Sequence, residues 1–226
     1  MPTPIVAAGL GALLAAALLK ERAFSARAVA VVLAAAVAPD LDALLWLVDE
    51  GLHNAALHNI WIPGAGALAL RSRRGQQWLR GRFGPDAVAI AWVAVAAYAA
   101  AVALDLFNVE SAAVLWPLHD RFFAVAGGVV YSTTQGVEIT LLKPTLAGGP
   151  WLPGASYGTV AGSYRVPSFF DPVAGPDGGA ARRLLLVGAG WELLVVLAGG
   201  IVAGGRLVAR PTLETDEVAA GAAGED

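Results

Sequence analysis

The chain has 226 residues, of which 57% are hydrophobic and only 15% charged, and its mean hydropathy is +0.63. A soluble protein of this size carries closer to ~25% charge, so the composition points to an integral membrane protein. A net charge of −3 gives no global cationic field for nucleic acid, and the lack of cysteine excludes disulfides, thiolate metal sites and cysteine nucleophiles.

Five apolar stretches follow one another. Residues 5–19 form the first, with Pro2 and Pro4 shortening its helical part. Lys20, Glu21, Arg22 and Arg27 come after it rather than before, which favours an uncleaved anchor over a signal peptide. The second covers 28–48 and is interrupted by Pro39, Asp40 and Asp42; the third, 55–70, is short and contains His58 and Pro63. The fourth, 87–104, is uncharged over 18 residues, close to the ~20 that cross a ~30 Å hydrocarbon core. The fifth, 184–205, is long enough to span, contains one charge, Glu192, and is preceded by Arg182 and Arg183. The expected fold class is therefore an all-α membrane protein of about five transmembrane helices.

Basic residues set the orientation. Lys20, Arg22 and Arg27 lie between stretches one and two, Arg71, Arg73, Arg74, Arg80 and Arg82 between three and four, and Arg206 and Arg210 after five. An odd number of crossings puts all three groups on one side, which the positive-inside rule makes cytoplasmic in a plasma (inner) membrane. The N-terminus is then outside and the C-terminus inside. Arg182 and Arg183 fall on the other side, after a long loop.

Four regions result: a membrane region at 1–107 with the site, an extracytoplasmic loop region at 108–183, a final span at 184–205, and an acidic, disordered tail at 206–226. The loop region holds seven of the 13 prolines. Within it, residues 129–142 have β-type character around Gln135-Gly136 and are expected to form a hairpin. An alternative lets 122–142 cross or re-enter the bilayer. Residues 148–179 are expected to be an ordered loop or short strands, and Trp46, Trp61, Trp116, Trp151 and Trp191 an outer aromatic belt.

An ionisable group inside a span is expensive unless paired, hydrated or metal-bound, so each is a functional candidate. Asp40 and Asp42 lie about 9–12 Å below the outer end of the second stretch at 1.5 Å per residue, and Glu192 at a similar depth in the fifth. Asp105 closes the fourth, His53 and His58 enter the third, and His119 and Asp120 follow the fourth on the same side. All three histidines thus share a layer with several carboxylates. That is a ligand set for zinc or another divalent cation, which activates water for hydrolysis. On a regular helix Asp40 and Asp42 face opposite ways; Pro39 breaks the helix, so either both turn inward or one caps a restart. Glu192 also has a structural reading, as a partner of Arg182, Arg183 or a loop arginine.

Pro39-Asp40-Leu41-Asp42, His53-Asn54-Ala55-Ala56-Leu57-His58-Asn59, Leu104-Asp105-Leu106-Phe107 and Leu115-Trp116-Pro117-Leu118-His119-Asp120-Arg121 together resemble the membrane-bound metal-dependent hydrolase family, also described as LexA-binding, inner-membrane-associated hydrolases. Order and approximate spacing agree over 37–123. Asn54, Leu57 and Asn59 stand where the family has Arg, Thr and Ser, and Ala101 where it has His. The resemblance implies a metal site and hydrolysis of an ester or phosphoester. The residue reading and the resemblance together give Asp40, Asp42, His53, His58, Asp105 and His119 as metal ligands, with zinc as the metal. Asp42 or Asp120 takes the proton, and a membrane lipid or phosphoester is the substrate at the outer interface. Two other classes fit the composition: a transporter or channel using Asp40, Asp42 and Glu192 for a cation or protons, and an inactive scaffold with a decayed site.

Overall fold

The computed structural model describes residues 3–107, 111–125, 129–134, 136–139, 155–162 and 185–209. Helix α1 is Pro4–Leu18, with proline in its first turn, where the missing N–H costs nothing. Helix α2 is Ala26–Val37, started by the Ser25 hydroxyl, which accepts the N–H of Ala28 at 3.2 Å. Pro39 cannot donate to Ala35 and crowds its carbonyl, so the chain tightens there into a 3₁₀ helix, Ala38–Leu47. A short 3₁₀ turn, Glu50–Leu52, and an irregular loop lead to α3, Trp61–Arg71. Ser72 separates α3 from α4, Arg73–Phe83, and caps it by accepting the N–H of Gly75 at 3.0 Å. Gly84, at φ 93, closes α4 in a conformation that disfavours side chains. Helix α5 is Ala87–Leu106 and α6 is Gly190–Val208.

Between α5 and α6 the described residues form four short strands: β1 Arg121–Ala124, β2 Val129–Ser132, β3 Gly136–Ile139 and β4 Ala155–Thr159. β2 and β3 form the expected hairpin, with Ser132 opposite Gly136. β1 pairs antiparallel with β4, with an irregularity between Phe122 and Phe123. The fold is thus mainly helical rather than all-α. The strands at 121–124, 129–132 and 136–139 argue against a crossing by 122–142, whose other residues lie mostly outside the described ones, because an open two-stranded ribbon leaves edge N–H and C=O groups without partners in hydrocarbon.

Among the described residues, three helices are long and apolar enough to cross a membrane: Ala26–Leu45, Ala87–Leu106 and Gly190–Val208. The other two stretches are shorter than expected. α1 has 15 residues, about 22 Å at 1.5 Å per residue, and α3 has only 11, because residues 55–60 are irregular loop. The helix of the fifth stretch, α6, begins at Gly190 rather than near 184, so Glu192 lies in its first turn and not deep within a span. Arg182, Arg183, Trp151, most of 148–179 and the tail beyond Ala209 lie outside the described residues.

Contacts at both ends fix the helix directions. Thr3 Oγ1 donates to the Leu186 carbonyl at the head of α1. At its foot, the Arg206 guanidinium donates to the carbonyls of Ala16 and Leu19, the latter at 2.8 Å, and covers the Phe24 ring at 4.2 Å. Helices α1 and α6 therefore run parallel. They meet through glycine: a Cβ on Gly9 would come within 2.9 Å of the Val196 Cα, and one on Gly199 would fall on the Gly9 carbonyl. Small residues let two apolar helices approach backbone to backbone, the usual basis of packing where water gives no drive. Helix α2 returns beside α1, with Gly11 against Ala36, and the core between them holds Phe24, Val32 and Ala97.

The Arg22–Asp86 ion pair, at 2.9 Å, ties the α1–α2 connection to the head of α5. Helix α5 thus runs parallel to α2, and α3 packs antiparallel to α5, with Gly66 beside Val95. Lys20, Arg22, α4 and Arg206 consequently share one end of the bundle. Asp40, Asp42, His58, Asp105 and the strands share the other.

Candidate functional site

Four of the expected residues meet at that second end. Asp42 Oδ2 lies 2.9 Å from His58 Nδ1 and accepts the N–H of Leu57 at 3.1 Å. His58 Nε2 lies 2.9 Å from Asp105 Oδ2 and 3.7 Å from Asp40 Oδ1. The imidazole and Asp42 are fully buried, and Asp105 is 3% exposed. Asp40 and Asp42 can both reach the ring because of the 3₁₀ geometry. With 3.0 rather than 3.6 residues per turn, residues two apart diverge by about 120° instead of about 160°. Pro39 is thus what lets both carboxylates turn inward.

The loop that presents His58 is clamped from several sides. Tyr98 on α5 donates its hydroxyl to the Leu57 carbonyl. Ile60 donates to the Val114 carbonyl at 2.9 Å, and Ala113 to the Asn54 carbonyl at 2.9 Å. Asn54 has φ 58, a conformation Asn tolerates better than most residues, and its amide donates to the Ser111 carbonyl at 3.1 Å. Asn59 accepts the N–H groups of Trp61 and Ile62 at 3.1 and 3.2 Å, which satisfies the start of α3. Beneath the loop, Ala55 packs with Ala113, Phe122 and Val160, so the β1–β4 unit braces the histidine.

Each carboxylate also keeps one buried oxygen without a hydrogen-bond partner among the described residues: Asp40 Oδ2, Asp42 Oδ1 and Asp105 Oδ1. His58 Nε2 has no aligned hydrogen bond either, despite its distance from Asp105. Burial works against protonating His58. The charge of Asp42, followed by contacts with Asp105 and Asp40, outweighs it and holds the pKa well above the usual imidazole range. The cluster thus demands positive charge, as a proton on the ring or as a cation.

The donors are chemically suited to a divalent metal. Two ligands bound tetrahedrally to zinc at about 2.0–2.1 Å stand roughly 3.3–3.4 Å apart. The two Nε2–oxygen distances, 2.9 and 3.7 Å, fall on either side of that value. A preformed constellation is another matter: among the described residues, no group of three or more His, Cys, Asp or Glu is set out as a metal-holding site. The side chains are drawn in on the imidazole instead.

The other expected site residues have different surroundings. His53 is buried, 2% exposed, at the start of the same loop. The His119 ring packs on Phe123 with 5.5 Å between centroids. Asp120 Oδ1 accepts the N–H groups of Val160 and Ala161 at 2.8 and 3.2 Å and so fastens β1 to the end of β4. Glu192 accepts the N–H of Gly188 at 2.6 Å, which ties the first turn of α6 to the segment just before it. Ala101 is buried one turn below Asp105, on the α5 face that carries Tyr98. Sequence reasoning missed Tyr98, although it is the only hydroxyl in the apolar run 87–104 and sits seven residues before Asp105, on the same helix face.

Fold and site together define a helical bundle with, among the described residues, three bilayer-length apolar helices and a buried carboxylate–imidazole cluster at one end. Comparison with family models, curated proteins and solved structures gave no match to this chain.

Proposed function

We propose that this chain is an integral protein of the plasma (inner) membrane that hydrolyses an ester or phosphoester at the outer interface with a divalent cation, zinc being the first choice. The single observation that carries this reading is the convergence of Asp40, Asp42 and Asp105 on His58, each with a buried oxygen left over. The alternating directions of α1, α2, α3, α5 and α6 support five passes, with α1 and α3 short. The shared end of Lys20, Arg22, α4 and Arg206 supports a cytoplasmic C-terminus and an external N-terminus.

The residues divide by role. Asp42 lies on His58 Nδ1 and, by accepting that N–H, would leave the Nε2 lone pair for a cation shared with Asp40 and Asp105, a recurring carboxylate–imidazole arrangement behind metal ligands. His58 Nε2, Asp40 and Asp105 would hold the cation. The chemistry a bound dication supplies is polarisation of the ester and activation of water near neutral pH. In the hydrolysis, the water oxygen bonds to the acyl carbon or phosphorus, the ester bond to the leaving oxygen breaks, and that oxygen gains a proton. Asp42, with Oδ1 uncommitted, suits the proton relay better than Asp120, whose carboxylate is engaged by Val160 and Ala161.

Elemental analysis of detergent-purified protein tests the reading. Wild type reconstituted with zinc is expected to hold near-stoichiometric metal, and His58→Ala, Asp40→Ala and Asp105→Asn to lose it. Asp42→Asn is expected to retain metal with affinity about 10–100-fold lower, as for other groups behind a ligand. Folded wild type that takes up no metal would overturn the proposal.

A further inference from the structure

An apolar cleft of about 370 Å³ opens between α3 and α5. Its floor is made of small residues, Gly64 and Ala67 on α3 and Ala96 and Ala99 on α5, with Trp92 toward the end that carries Arg22 and α4. At the other end it reaches Ile60 and Val102. Ile60 is two residues after His58, and Val102 is three before Asp105, so the cleft stops within one helical turn of the cluster. From Trp92 to Val102 the rise is about 15 Å at 1.5 Å per residue, half of a ~30 Å hydrocarbon core.

We infer that this cleft binds one aliphatic chain of a membrane lipid and holds its polar head against the Asp40–His58–Asp105 cluster. The inference rests on the hydrolase reading for the role of the head and makes the substrate a lipid of the outer leaflet. Three features select this occupant. The length matches one leaflet. The lining is apolar, which in the hydrocarbon region suits a chain and offers nothing to a polar solute. The carboxylate–imidazole cluster lies just beyond the Ile60–Val102 end, a pairing of apolar body and few polar contacts typical of ligand sites. The floor is open because its residues are small: a Cβ added at Gly64 meets nothing within 4 Å.

That opening supplies the test. The full-length protein is placed in phosphatidylcholine vesicles containing a tracer phospholipid with a photoreactive diazirine near the end of one acyl chain. After irradiation, adducts are mapped by mass spectrometry. The expected result is several-fold enrichment on Gly64, Ala67, Ala96 and Ala99 over Leu197 and Ile201, exposed positions on α6. Gly64→Leu, which fills open space, is expected to lower cleft labelling to the α6 level. Ala99→Leu, on the opposite wall, is the second variant should the first fail to fold. Equal labelling of cleft and α6, or labelling unchanged in folded variants, would overturn the inference. Metal content of the same preparations separates the two proposals. Cleft labelling in a protein unable to bind metal refutes the hydrolase and leaves chain binding standing; metal without cleft labelling refutes chain binding alone.

Discussion

Gly199 and Gly200 are neighbours on α6, yet the packing predicts opposite responses to the same substitution. A methyl group at 199 would fall on the backbone carbonyl of Gly9, and backbone cannot rotate away as a side chain can. A methyl at 200 meets nothing within 4 Å. Replacing glycine by alanine inside a helix gains roughly 1 kcal/mol from backbone entropy at either position. At 199 that gain is opposed by overpacking, which costs about 1–3 kcal/mol and more where backbone must move. Gly199→Ala is therefore expected to destabilise by about 1–2 kcal/mol, and Gly200→Ala to be neutral or stabilising by up to about 1 kcal/mol. For a chain of this size 1 kcal/mol corresponds to about 2–4 °C in midpoint. Tryptophan-monitored thermal unfolding of purified protein in one detergent reads the difference, Gly199→Ala moving down and Gly200→Ala level or up. Equal shifts of the same sign would refute the close approach of α1 and α6 at Gly9 and Gly199.

Other consequences are equally direct. Arg206→Ala removes both the donors that close the end of α1 and the cation over Phe24, and is expected to cost about 2–3 kcal/mol; Arg206→Lys, with a point charge and no planar fork, should recover only part of it in the same assay. Tyr98→Phe removes the hydroxyl that holds the Leu57 carbonyl, with an expected loss of about 0.5–1.5 kcal/mol and weaker zinc uptake, although the tyrosine is no ligand. The natural lack of cysteine makes single-cysteine labelling clean. In intact cells a membrane-impermeant maleimide should reach Thr133→Cys in the hairpin turn and label Gln77→Cys on α4 only after permeabilisation; the reverse pattern would invert the orientation.

Much of this molecule is legible one residue at a time. The apolar run 87–104 marks α5 because its length and lack of charge are properties of a single segment, and hydrocarbon admits little else. Pro39 marks the break in the second stretch because the missing N–H acts locally, and Gln135-Gly136 marks the hairpin for a similarly local reason. Positions of the arginines along the chain also separate the bundle's two ends. Residues 55–60 were harder: their composition is apolar enough for a span, but Asp42, Tyr98 and Val114 capture the loop's backbone groups from elsewhere.

Tertiary structure alone decided which carboxylate meets which histidine nitrogen. Asp42 and His58 are 16 residues apart, and Asp105 comes from another helix; only the parallel packing of α5 beside α2 brings its end over the loop. The same packing separates Asp42, on Nδ1, from Asp40 and Asp105, toward Nε2, a distinction invisible in a Pro-Asp-Leu-Asp string. It also set Glu192 to hold the segment before α6 and Asp120 to fasten two strands. The physical reason is that hydropathy and backbone stereochemistry act over a few neighbouring residues, whereas a buried polar group is satisfied by whatever distant atom the packing delivers.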